Sequence, residues 1–297
     1  MIDLSIIVLS FNTKELLREC LGSIKKNTSS AINCELIVVD NASVDGSEKM
    51  VREEFKDAML IANKKNLGYT RGNNAGVKIA KGKYILFLNA DTYVHAKTLE
   101  TMVVFMDENK DAGAATCRVE LPNGKLDDSC HRGFPTPWRA FCHFVGFSRI
   151  FPRSRIFAGY SMGWEDLSKA HEIDSCSGAF MIVRRGAGEQ INWWDEDFFW
   201  YGDDLDFCYR LNEKGWRVYF VPTVKILHYK GVSGGIKSIS RHLTRATRET
   251  RLRVTKARFE AMKIFYNKHY QDKYPFFIMG LVFIGINLKW FITSRRL

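Results

Sequence analysis

Several familiar frameworks are missing from this 297-residue chain. Its seven cysteines (20, 34, 117, 130, 142, 176 and 208) include no Cys-x-x-Cys pair. That argues against a disulfide framework and reads as reduced thiols in a cytosolic protein. Neither GxxxxGK[ST] nor GxGxxG occurs, so the usual nucleoside-triphosphate and dinucleotide sites lose ground. No basic segment precedes the N-terminal apolar run, where Asp3 stands instead; a strand is expected there, and no signal peptide. No uncharged apolar run reaches the twenty or so residues of a membrane span; the stretch 275–288 has 14. Prolines number six, four of them (Pro122, Pro135, Pro137, Pro152) within residues 118–173, where no hydrophobic period is sustained.

What is present suits a large α/β protein. The chain is 46% hydrophobic, enough for one large domain or two modest ones, and neither disorder nor a fibrous class is indicated. Formal net charge is +11, but residues 225–273 hold 13 Lys and Arg against Glu249, Glu260 and Asp272, a net +10. The basic surface therefore belongs to the tail.

Apolar β-branched runs alternate with helical patterns along the first hundred residues. Residues 4–9 read as a strand, and Leu16, Leu17, Cys20, Leu21 and Ile24 recur at helical spacing. Strands are expected again at 35–39, 59–62 and from residue 84, with helices from about residue 45 and over 70–81. Such alternation predicts right-handed crossovers and a mostly parallel sheet flanked by helices. Further on, residues 177–183 and 216–221 read as strands, 205–214 as a helix, and 118–173 as an irregular region with a few short elements.

Polar residues cluster where these strands end, which in open α/β sheets is where ligands bind. Asn89, Ala90 and Asp91 close the run KYILFL; they either turn the chain or offer oxygen ligands to a hard divalent cation bridging substrate phosphates. Asp40 is placed either to accept a hydrogen bond from a base or ribose, or to cap the helix that follows. Arg71 and Asn74, after Asn66 and Gly68, stand at a helix start that suits phosphate, or is simply solvated. Residues 195–206, DEDFFWYGDDLD, mix acids with aromatic rings whose dehydration would raise a carboxylate toward useful base strength. Capping of the 205–214 helix is the competing role for Asp203 and Asp204. His228 reads as a structural hydrogen-bonder or a ligand.

Taken in order, SIIVLSFN, LIVVDNASVDGS, NLGYTRGNNAG, YILFLNADT, SCSGAFMIVRR and FFWYGDDLDFCYRLNEKGW resemble the family 2 glycosyltransferases of GT-A fold, most of all the bacterial rhamnosyltransferase type. The resemblance covers about residues 2–235. It implies an enzyme that moves a sugar with inversion from a nucleotide-diphosphate donor, dTDP-rhamnose in the favoured reading and UDP-galactofuranose or UDP-glucose otherwise, to a glycan or lipid-linked acceptor. In that reading Ser10, Phe11, Asn12 and Asp40 wall the base pocket; Asn66, Gly68, Arg71, Asn74, Asn89 and Ala90 complete the donor site. Asp91, last in the family's Asp-x-Asp motif, binds Mg²⁺ or Mn²⁺, with Asn89 as a neutral first member. Ser177, Gly178 and Ala179 lie under the sugar, and Trp200 is placed with them. Asp204 is the base and Asp203 its neighbour. His228, in HYKGVS with Gly231 and Ser233, completes the metal site and tilts it toward Mn²⁺.

The expected organisation is a transferase domain over 1–235, with a donor half to about 117 and an acceptor half beyond, followed by a tail over 236–297. Residues 239–270 read as a basic helix with Val254, Ala257, Ala261 and Phe265 on one stripe. With the short apolar segment behind it, the tail is expected to lie on anionic headgroups at the cytoplasmic membrane face, a single tilted span being the alternative. No nucleic-acid motif accompanies the charge. Two rival functions are weighed. A sugar nucleotidyltransferase would carry a glycine-rich basic loop after the first strand, and SFNTKE has no glycine. A catalytically silent scaffold would have little reason to hold Asp91, Asp203, Asp204 and His228 together.

Overall fold

The structure, a computed structural model, describes residues 2–230 and 247–295. The expected domain boundary at 235, Gly231 and Ser233 of the HYKGVS stretch, and the start of the basic helix lie outside the described residues.

The chain opens with β1 (Leu4–Ser10), α1 (Lys14–Asn27), β2 (Cys34–Asp40), α2 (Ser47–Glu54), β3 (Met59–Ala62), α3 (Gly68–Val77) and β4 (Tyr84–Asn89). β1 pairs in parallel with both β2 and β4, and β2 with β3. Leu4, Ile6, Ile7 and Val8, and likewise Tyr84 to Leu88, are buried, as near-continuous apolar strands covered on both faces must be.

Beyond β4 the sheet becomes mixed. β5 (Thr92–Val94), α4 (Thr98–Glu108) and β6 (Ala112–Glu120) are followed by short helices α5 (Pro137–Val145) and α6 (Phe147–Ile150), then β7 (His171–Ile173), β8 (Phe180–Arg184), α7 (Arg185–Gln190), α8 (Asp203–Glu213) and β9 (Arg217–His228). The order is β3-β2-β1-β4-β8-β6-β9-β5, with β7 added on β9. β8 runs antiparallel between β4 and β6. The parallel character is thus confined to β1–β4 and the β6–β9 pair. β9 carries the strand expected at 216–221 and runs on to His228, through a register shift opposite Cys117 and Arg118. Pro222 in this irregular stretch donates no ladder bond.

The tail helices α9 (Arg248–His269) and α10 (Phe276–Ser294) pack on the sheet domain. Phe259, Ala261, Phe265, Tyr266 and Tyr270 of the α9 region join the main core. The anchoring is also ionic. Lys268 meets Asp195 at 2.5 Å and Asp197 at 2.6 Å, His269 Nε2 meets Asp206 at 2.8 Å, and Lys273 meets Glu213 at 3.0 Å. Several cations expected over headgroups are therefore neutralised by the domain itself. α10 is 19 residues rather than 14, because the helix runs on through Lys289 and Trp290; by length and composition it is apolar enough to cross a membrane.

Candidate active site

The parallel register brings three strand ends together. Ser10 stands beside Asp40, and Leu9 beside Asn89. At this edge opens a cavity of about 1370 Å³, lined among others by Ser10, Phe11, Asn41, Asn66, Gly68 and Asn89 to Asp91. Ser177, Gly178, Ala179, Trp200, Asp203, Asp204 and His228 face the same space. Most residues singled out in the sequence are thus assembled around one hollow.

Four stand apart from its lining: Asp40, Arg71, Asn74 and Asn12. Arg71 pairs with Glu196 at 3.2 Å on the surface. The Asn74 amide clamps the backbone of Trp194, donating to its carbonyl at 2.9 Å and accepting its N–H at 3.1 Å. Asn12, at φ +54°, accepts the Val44 N–H and donates its own N–H to the Ser43 hydroxyl, holding the loop after β2. The α3 start is likewise occupied: the Tyr69 N–H donates to the Phe199 carbonyl at 3.0 Å and the Thr70 hydroxyl to Phe198 at 2.7 Å. A Cβ on Gly68, itself at φ +81°, would lie 2.7 Å from Phe199. Helix α3 receives the 198–199 segment, and its first N–H is not left for phosphate.

Asp40 is 2% exposed. Its Oδ2 accepts the Ser43 N–H at 2.9 Å, while Oδ1 is buried without a hydrogen-bond partner. A buried carboxylate oxygen left single is costly, and a base or ribose donor would satisfy it. The expected capping of the following helix is not what Asp40 does: its bond goes to Ser43, ahead of α2, where Asp45 accepts the Ser47 N–H.

The pairing of β5 with β9 sets Thr92 opposite His228, and the Tyr229 N–H donates to the Asp91 carbonyl at 2.9 Å. His228 Nε2 lies 3.3 Å from Asp91 Oδ1, and its Nδ1 lies 3.1 Å from Asp127 Oδ2. Lys230 also bonds Asp127. Burial opposes the charge on Asp127, but the His228 hydrogen bond and the Lys230 ammonium outweigh it and hold this carboxyl well below the usual range. Burial likewise opposes the His228 proton; the Asp91 charge and the Asp127 bond prevail and push the imidazole up to about 9. One carboxylate, one imidazole and a carboxylate orienting that imidazole form the carboxylate–histidine arrangement of metal sites. Among the described residues no cluster of three or more His, Cys, Asp or Glu forms a closed cage, so a cation here would need further oxygens from a substrate. That is how Mg²⁺ and similar ions usually bind phosphates.

Across the cavity, Tyr201 (φ +72°) and Gly202 (φ +73°) turn the chain sharply into α8. Asp203 and Asp204 are its first two residues, where the helix dipole favours negative charge. The remaining acids of the 195–206 cluster serve packing: Asp195 and Asp197 hold Lys268, Glu196 holds Arg71, and Asp206 holds Arg210 and His269. Asp204 meets Arg132 at 2.6 Å, both largely buried. Burial and the neighbouring Asp204 charge raise Asp203 to about 8.

Asp127 and Arg132 escaped the sequence reading. Both lie in the stretch without period, and their partners lie far along the chain, 101 residues away for His228. At Gly178 a Cβ would meet the Tyr69 hydroxyl at 2.1 Å, and that hydroxyl donates to the Gly178 carbonyl at 2.9 Å.

Known proteins share this fold. Among solved structures, a mannosyltransferase from Pyrobaculum calidifontis in complex with GDP-Man and Mn²⁺ superposes with a TM-score of 0.56 at 19% identity, over 86% of this chain and 63% of that one; the fold is GT-A. The rhamnosyltransferase WbbL of Escherichia coli K12 is 28% identical over 171 residues, which are 54% of this chain and 61% of that protein. The N-acetylglucosaminyl-diphospho-decaprenol L-rhamnosyltransferase of Mycobacterium tuberculosis (strain CDC 1551 / Oshkosh) is 24% identical over 243 residues, 78% of each chain. Residues 5–187, more than half the chain and reaching from β1 through β8, match the model of glycosyl transferase family 2, the family to which this chain belongs.

Proposed function

We propose that the protein transfers one sugar, L-rhamnose from dTDP-rhamnose in the favoured reading, onto a glycan or lipid-linked acceptor, inverting the anomeric carbon. The observation that carries this reading is that Asp91 with His228 and Asp203 with Asp204 open into one cavity that also reaches the β1 and β4 ends. Both relatives named above are rhamnosyltransferases by name, which supports the sugar.

The nucleotide lies against Ser10 and Phe11, with the buried, unpaired Asp40 oxygen as acceptor for a base or ribose donor. Asp91 and His228 would hold Mg²⁺ or Mn²⁺, and His228 favours Mn²⁺. When bound, the ion supplies Lewis-acid stabilisation of the leaving diphosphate. For the chain's own part, Asp127 orients His228, and Ser177 to Ala179 form a floor where small residues let a sugar approach. Asp204 takes the acceptor hydroxyl proton as that oxygen attacks the anomeric carbon and the diphosphate departs on the opposite face. Arg132 supplies a counter-charge to Asp204, which it meets at 2.6 Å. An apolar α10 with Phe276, Leu281, Ile284 and Leu288 exposed supports attachment at the cytoplasmic membrane face.

Asp204→Asn tests the reading. Sugar transfer should fall by about 10²- to 10⁴-fold, the usual worth of a general base, while donor binding by calorimetry is retained. Equal turnover by the mutant would refute the base.

A further inference from the structure

The cavity does not end at the carboxylates. A site for a drug-sized ligand occupies about 300–1,000 Å³, and this one, at about 1370 Å³, continues past Asp204 and Arg132 between α5 and α10. There its walls are Phe141 and Phe144 from α5, and Leu281, Val282 and Leu288 from α10. Ile278 and Ile292, both lining residues, lie 14 residues apart on α10, so this apolar arm is about 21 Å long at the helical rise. Phe141, Phe144, Leu281 and Leu288 are each about half exposed or more, which is unusual for side chains facing one another across a groove. Two cations, Arg258 of α9 and Lys289 of α10, line the same space, and Lys289 lies 5.7 Å over the Phe144 ring.

We propose that this arm is the binding site for the hydrocarbon chain of a lipid phosphate or diphosphate acceptor. The chain lies between α5 and α10, the phosphates meet Arg258 and Lys289, and the sugar hydroxyl reaches Asp204. The assignment rests on the transferase reading above and adds to it where the acceptor's tail sits. Continuity with the carboxylates argues for a substrate, since a surface meant only for bulk membrane needs no passage to Asp204. The pairing of an apolar trough with two cations argues for a lipid bearing phosphate.

Glycines on α10 make the test clean. A Cβ at Gly280 or Gly285 meets nothing within 4 Å, so both positions accept a large side chain without a clash at that atom. Gly285 lines the cavity, whereas Gly280 is not among its lining residues. The probe is farnesyl diphosphate, titrated by calorimetry into the full chain with saturating dTDP present to occupy the donor site. Saturable binding is expected; Gly285→Trp weakens it about tenfold or more, as overfilling a packed site typically does, and Gly280→Trp leaves it unchanged. Absence of saturable binding, or equal affinity in wild type and Gly285→Trp, overturns the proposal. So does equal loss in both variants, which would make α10 a general membrane surface. Inorganic diphosphate binding as tightly as farnesyl diphosphate would also overturn it, since the chain would then contribute nothing. Failure of the transferase reading looks different: farnesyl diphosphate binds as expected while no nucleotide sugar does.

Discussion

Asp203 and Asp204 are adjacent in sequence yet meet different surroundings. Asp204 has Arg132 at 2.6 Å, whereas Asp203 is buried next to its neighbour's charge and is raised to about 8. In the unfolded chain Asp203 ionises near its ordinary 3.8, so between there and about 8 the folded state holds a proton that the unfolded state has lost. Its contribution to stability is therefore greatest below that window and declines as pH rises through it. Asp203→Asn should remove this term. Thermal unfolding of the variant against wild type should show a relative gain for the variant that grows from pH 5 to pH 8 and levels off above; a constant difference would contradict the raised value. Asp40, Asp91, Asp203 and Asp204 were legible because each follows an apolar run that fixes where a strand stops or a helix starts. Arg132 and Asp127 were not, since a charge is informative in sequence only when the local period says which way it points.

At the scale of elements, α8 and α9 show how one acidic cluster serves two purposes. The first turn of α8 offers Asp203 and Asp204 to the cavity, and Asp206 turns the other way, to Arg210 at 2.7 Å and His269 at 2.8 Å. With Asp206 fully buried, Asp206→Ala leaves two donors without their carboxylate, and a loss of about 3 kcal/mol is expected. Chemical denaturation measures it; a loss within experimental error would mean that α9 is held by its aromatic contacts alone. The N-terminal alternation of strands and helices was readable because a parallel sheet buried on both faces leaves continuous apolar runs. The mixed order beyond β4 was less so. β8 sits between β4 and β6 although some sixty residues of irregular chain precede it, and no local pattern encodes that insertion. The length of α10 was underread for a related reason. Lys289 interrupts the apolar run, but its ammonium lies 5.7 Å over the Phe144 ring, so the charge ends no helix.

The whole molecule joins the β1 and β4 strand ends, a carboxylate pair and an apolar helix around one continuous space. Overall charge was the poorest guide to that arrangement. The tail carries nearly all the net positive charge, yet Lys268 and Lys273 are spent on acids of the sheet domain, so α9 is tied to the fold as well as to any surface beneath it. The motifs were the best guide, because six of them in order constrain a fold far more than any composition does.

Donor binding tests the central claim most directly. Calorimetric titration of dTDP-, UDP- and GDP-sugars, with Mn²⁺ and then with chelator, is to be run on wild type and on Asp91→Ala. The account predicts selective binding of one nucleotide class, dTDP-rhamnose foremost, that requires the metal and is lost in Asp91→Ala. Binding to no member of the panel, or binding indifferent to both chelator and the Asp91 substitution, would contradict it.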